Sequence, residues 1–80
     1  MGSREGADAV LPKGKYLWCL HCEQVDMRTG WLNNYGYCVY EGCDGNAIDA
    51  WKWTDIRKAN PVYPEVPDYD TWYPLYPPKD

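Results

Sequence analysis

The stretch "YLWCLHCEQV", Tyr16 to Val25, sets two cysteines two residues apart among aromatic and aliphatic side chains, and its partner stretch is "YCVYEGCDG", Tyr37 to Gly45. The pattern is Cys19-x2-Cys22, fifteen intervening residues, then Cys38-x4-Cys43. Three chemistries use such pairs. A thioredoxin-like redox motif needs a β-α-β context with a helix starting at the cysteines, which 80 residues carrying four cysteines do not offer. Two disulfides are possible by count, but a C-x2-C bridge closes a very small loop and disulfides are rare in reducing compartments. A tetrahedral thiolate metal site takes two sulfurs from each of two short turns, and backbone N–H groups of those turns point at the sulfurs. Cys19, Cys22, Cys38 and Cys43 are therefore the expected ligands of one zinc ion, with iron in the same four-sulfur cage as the rival.

Length agrees with this reading. Eighty residues allow one small domain, a size at which an apolar core alone seldom suffices and a metal or disulfides supply the difference. There is no Phe, but there are five Trp and eight Tyr, so the large apolar surfaces are rings with a polar edge. No apolar run approaches the ~18 residues of a membrane span, and Met1 to Leu11 holds no apolar signal-peptide core. The expectation is a soluble, cytoplasmic monomer with no membrane partner. Net charge is formally -4, and four thiolates around one divalent cation take it to about -6, a balance that repels phosphate backbones.

The chain divides into three parts. Residues 1–14 mix Gly, Ala, charges and Pro12 without period and read as a flexible N-terminal segment. Residues 15–60 form the compact part. Residues 61–80 open with "PVYPEVPDYDTWYPLYPP", whose six prolines exclude helix and central strand and favour extended chain. Within the compact part, Lys15 to Leu20 reads as a strand. Trp31 to Tyr37 suggests a hairpin turning at Asn33-Asn34, and Tyr37 to Tyr40 a chain entering the second cysteine loop. Ala47 to Trp53 is read as a strand from its alternation, followed by one short helix from Thr54 to Ala59, capped by Thr54 and stopped by Pro61.

"WCLHCE" with "YCVYEGCDG" resembles the zinc ribbon, within the rubredoxin-like group of two cysteine turns on a three-stranded antiparallel sheet, over about Tyr16 to Trp53. The longer string, with "DAWKW", "NPVYPEVP" and "YPLYP", is similar to small bacterial proteins, cyanobacterial ones among them, of uncharacterised function. The resemblance implies a small, metal-stapled, mainly-β fold and a metal, and brings no activity with it. Rubredoxins carry C-x2-C-G at both turns; here Glu23 follows the first pair and the second is stretched to x4, which argues against electron transfer.

Enzyme chemistry has little to stand on. His21 is the only histidine and sits inside the first cysteine turn, where intervening residues point outward; Ser3 is the only serine. No Ser-His-Asp set or glycine-rich phosphate loop can be assembled. Glu41, Asp44, Asp68 and Asp70 read as solvated carboxylates of an acidic chain. Trp18, Trp31, Trp51 and Trp53 suit a stacking platform for single-stranded nucleic acid only if a basic groove accompanies them, and Lys13, Lys15, Arg28, Lys52, Arg57 and Lys58 are scattered and outnumbered. The expected role is a protein-protein interaction or adaptor module, with a nucleic-acid-binding ribbon and a rubredoxin-like iron carrier as alternatives. The tail carries Tyr63, Tyr69, Trp72, Tyr73, Leu75 and Tyr76, more apolar surface than disordered linkers hold, and is expected to dock in cis against Tyr16, Trp51 and Trp53.

Overall fold

The structure, a computed structural model, describes residues 10–75; the outer parts of the lead-in and tail, including Tyr76, lie outside the described residues. Its centre is strand β1, Tyr16–Cys19, flanked on one side by β2, Val25–Met27, and on the other by β3, Ala50–Lys52. Both pairings are antiparallel, with Trp18 opposite Val25 on one side and Trp51 on the other. Leu17, Trp18 and Cys19 are all fully buried, which explains why "YLWC" is apolar throughout: a central strand covered on both faces shows no polar alternation.

Successive side chains of a strand point to opposite faces, and β1 uses both. Leu17 and Cys19 join Leu11, Trp31, Cys38 and Ala50 in one cluster, which holds the cysteines. Trp18 joins Val25, Trp53, Ile56 and Tyr73 in the other. The sheet is thus a partition between a sulfur side and an aromatic side.

The segment between the cysteine pairs differs from the expected hairpin. Arg28–Asn33 is a helix, α1, and the first cysteine turn itself joins the two strands of the hairpin β1–β2. The reason lies just after Asn33-Asn34. Tyr35 takes φ 59° and Gly36 φ 82°, while Gly36 N–H bonds to Trp31 C=O at 2.8 Å and Tyr35 N–H to Leu32 C=O at 3.2 Å. This pair of bonds is a Schellman ending, which consumes the helix's last carbonyls. Asn34 then donates its side-chain amide to Cys38 C=O at 2.8 Å, so the helix end braces the second cysteine loop.

Ala47 to Trp53 also resolves differently. Ala47–Asp49 is a 3-10 helix closed by a capping box between Asn46 and Asp49, and only Ala50–Lys52 is strand. The second α-helix, α2, is Trp53–Ala59; it begins one residue before Thr54, without a side-chain cap. Asp55 lies in its first turn and Arg57 and Lys58 in its last, matching the helix dipole, and Asn60 bonds back to Ile56 C=O. At the other end of the compact part, Leu11 is buried with Leu17 and Trp31, and Arg28 donates to Pro12 C=O at 2.9 Å. The packed body therefore begins before Lys15. The short apolar run Ala9-Val10-Leu11-Pro12 is too brief to show a period that would reveal this.

The proline-rich segment lies along the aromatic side. Trp53 stacks on Tyr63 at 5.8 Å, and Tyr73 meets both rings edge-on at 4.8 and 5.1 Å. Tyr16 touches Tyr69 at 6.2 Å, whereas the ring partner of Trp51 is Trp18 at 5.9 Å. Trp18 donates its indole N–H to Tyr73 C=O at 2.7 Å, wholly buried. Replacing Trp18 with Phe removes that donor and strands a buried carbonyl. The expected loss is about 1–3 kcal/mol in denaturant unfolding, against at most ~1 kcal/mol for Trp51→Phe, whose ring is partly exposed. Equal midpoints for the two variants contradict this assignment.

Candidate metal centre

The four cysteines arrive from two turns. Cys19 ends β1, and the chain reverses at once: Glu23 N–H bonds to Cys19 C=O at 2.7 Å and Cys19 N–H to Gln24 C=O at 2.9 Å. Glu23 adopts φ 58° to make the reversal, a left-handed conformation that costs a non-glycine residue about 1–2 kcal/mol. In the second turn Cys43 N–H bonds to Tyr40 C=O at 3.1 Å and Gly42 takes φ 84°. Cys38 N–H reaches Gly45 C=O at 2.8 Å, which closes the longer x4 loop.

All four Sγ atoms lie within 4.8 Å of one another. Cys19 and Cys43 are 3.7 Å apart and Cys22 and Cys38 3.6 Å. A tetrahedron with metal–sulfur bonds of ~2.3 Å has edges of about 3.8 Å, so these separations suit four ligands around one ion. They are far beyond the ~2.05 Å of a disulfide, and all four cysteines are free. Among the described residues this is the group of His, Cys, Asp and Glu side chains close enough to hold a metal ion. His21 is not in it. Its ring is exposed and lies 3.5 Å from Asp44.

The donors around the sulfurs show how the turns are adapted to anions. Cys19 is lowered to about 5, first by its hydrogen bond from Cys38 and further by the backbone N–H groups of Cys22 and His21. Burial pushes Cys22 up to about 12, opposed by the N–H of Gln24. Cys38 is raised as well, because its proton is held by Cys19 and its surroundings are dry, although the N–H of Tyr40 favours its thiolate. Without a cation these surroundings thus favour the thiolate at Cys19 and the neutral thiol at Cys22 and Cys38. A divalent ion reverses that, since bound cysteines are deprotonated.

Gly45 has a role that its place after Asp44 does not suggest. A Cβ there would stand 2.9 Å from Cys19 Sγ and 3.2 Å from His21 Cβ. The backbone passes so close to the sulfur that only a hydrogen fits.

Two outcomes are expected. Gly45→Ala pushes on a ligand sulfur and lowers metal affinity, whereas Gly42→Ala meets nothing within 4 Å and costs only the backbone strain of its φ, about 1 kcal/mol. Chelator competition on both variants checks this, and equal affinities refute it. At pH 7, metal binding should release about two protons or more, from Cys22 and Cys38 at least, so affinity falls as pH falls. Calorimetry in buffers of different ionisation enthalpy counts them; a proton-neutral reaction contradicts the assignment. No protein-family model, curated protein or solved structure matches this chain.

Proposed function

We propose that the protein is a structural zinc module of the zinc-ribbon kind that serves as an interaction or adaptor surface for another protein, and that it is not an enzyme. The observation that carries this reading is the convergence of four sulfurs at tetrahedral spacing in two separate turns. Four soft ligands around a redox-inert, geometrically undemanding ion favour zinc. Iron fits the same donor set and is the rival. In such small domains metal binding supplies ~10 kcal/mol or more of folding free energy, so the ion's role is to hold the surface rigid.

The surface so held includes exposed apolar groups. Leu20, Ile48, Trp51 and Trp72 are all exposed, Ile48 by 79% and Trp72 by 57%. Leu20 N–H bonds to Asp49 C=O at 2.8 Å, which joins the first cysteine turn to the 3-10 helix. For nucleic acid the features are less favourable. Trp18, Trp31 and Trp53 are buried, so three of the four tryptophans of the supposed platform have no free face for a base. Arg57 donates to Tyr63 C=O and Lys58 pairs with Asp55, so these cations serve local contacts.

Native mass spectrometry of the protein as purified from its own cell should show one zinc per chain, lost together with dispersed amide resonances on chelation. Retention of a folded spectrum without metal contradicts the structural role, and a red form with reversible one-electron chemistry favours the iron carrier. Labelled oligonucleotides should give no anisotropy change near physiological salt. Micromolar, salt-sensitive binding would instead favour the nucleic-acid reading.

A further inference from the structure

Glu23 joins the two sides of the molecule. It lies between Cys22 and Gln24, whose N–H serves the Cys22 sulfur, and its own N–H closes the first cysteine turn on Cys19 C=O. Every acceptor it owns is turned towards the proline-rich segment. Its carboxylate accepts Trp72 Nε1–H at 3.0 Å on one oxygen and Leu75 N–H at 3.1 Å on the other. Its main-chain carbonyl accepts Tyr73 N–H at 2.7 Å. Next to it, Gln24 bridges Trp72 in antiparallel fashion and donates to Asp70 C=O at 3.4 Å. The second cysteine loop adds one contact, Asp70 N–H to Tyr40 Oη at 3.2 Å.

The backbone at Glu23 makes the choice of residue informative. At φ 58° a glycine is unstrained and would build the turn better. A glutamate held there against that preference gains its return from the side chain, and both its oxygens are occupied by the tail.

We propose that Glu23 is a latch by which the metal centre controls docking of the proline- and aromatic-rich segment. The closed first turn, fixed by sulfur ligation, positions three acceptors at the spacing that Trp72, Tyr73 and Leu75 need. When the turn opens, those acceptors separate and residues 70–75 come free as an extended ligand, with Tyr73, buried while the segment is docked, now exposed beside Trp72. Linkage makes the effect reciprocal: a docked segment tightens metal binding by the factor by which metal tightens docking. The inference rests on the metal-binding part of the proposed function and adds the means by which the module hides or offers its interaction segment.

The test compares full-length wild type with Glu23→Gly, each loaded with zinc. Relaxation measurements across residues 70–75 report docking, and competition with a chromophoric chelator reports affinity. The latch predicts that Glu23→Gly still binds one zinc, that residues 70–75 become mobile on the nanosecond scale, and that affinity falls about tenfold. A role confined to the turn predicts the opposite sign, because glycine relieves the backbone: equal or tighter zinc binding with the segment still docked overturns the proposal. Trp72→Phe, a milder change at an exposed ring, removes only the indole donor and should shift both readouts in the same direction by less. No change in either readout for this variant also counts against the latch. Wild-type protein that binds no zinc overturns the metal reading and the latch together, whereas zinc bound with Glu23→Gly indistinguishable from wild type removes the latch alone.

Discussion

Four sulfur atoms within 4.8 Å of one another form an unstable proposition for a protein chain. As four anions they repel across a partly dry space, and as four neutral thiols they fill a site whose backbone donors are aimed at negative charge. The N–H groups of His21, Cys22, Gln24 and Tyr40 all turn towards sulfur, an arrangement without purpose for neutral thiols. A divalent cation resolves the conflict, because it cancels half of the thiolate charge while the N–H dipoles offset part of the remainder. The two turns, the Schellman ending of α1 and the close pass of Gly45 are the means by which the chain brings the sulfurs to that point.

The absence of Phe acquires a physical reason on the other side of the sheet. Proline has no N–H, so a proline-rich segment brings carbonyls to a packing surface without the donors that normally accompany them. Phenylalanine covers such a segment but leaves its carbonyls unpaired. Tryptophan and tyrosine cover it and donate: Trp53 to Pro64 C=O at 3.1 Å, Trp18 to Tyr73 C=O and Tyr63 to Pro74 C=O. Arg57 adds a fourth such bond, to Tyr63 C=O at 3.1 Å. Here an aromatic core and a proline-rich chain are two halves of one hydrogen-bonding solution.

How much of this the sequence discloses depends on whether a signal is local. Cysteine spacing is local, and it announces a cluster that the fold does assemble. The apolar run Tyr16–Cys19 is local too, and it is the central strand. Strand β2 is only three residues long, and the single apolar–polar–apolar step Val25-Asp26-Met27 is too short to establish a period. Helix α1 is hidden because "RTGWLN" has a mid-helix Gly30 and no N-terminal cap, while the bonds that end it depend on Tyr35 accepting a positive φ unusual for an aromatic residue. The close pass of Gly45 beside Cys19 is a relation between residues 26 positions apart, and the contacts of Glu23 with Trp72 and Leu75 span 49 and 52. Nothing in a local pattern encodes those.

The two sides are not independent, because one strand builds both. Along β1, Leu17 and Cys19 face the sulfur cluster and Trp18 faces the rings, so the alternation of a single strand assigns sulfur to one side and indole to the other. A slip of one residue would exchange them, driving the Trp18 ring towards Cys38 and Cys43 and leaving a thiol beneath Tyr73. Short strands with three paired positions on each side have little hydrogen bonding with which to resist such a slip. Ligation of Cys19 resists it directly, since a metal bond tolerates displacements of tenths of an ångström and a slip moves each Cα by about 3.3 Å. An ion held by the four sulfurs would therefore also fix the register of the strand, and with it the place of Trp18 under the proline-rich segment on the far face of the sheet.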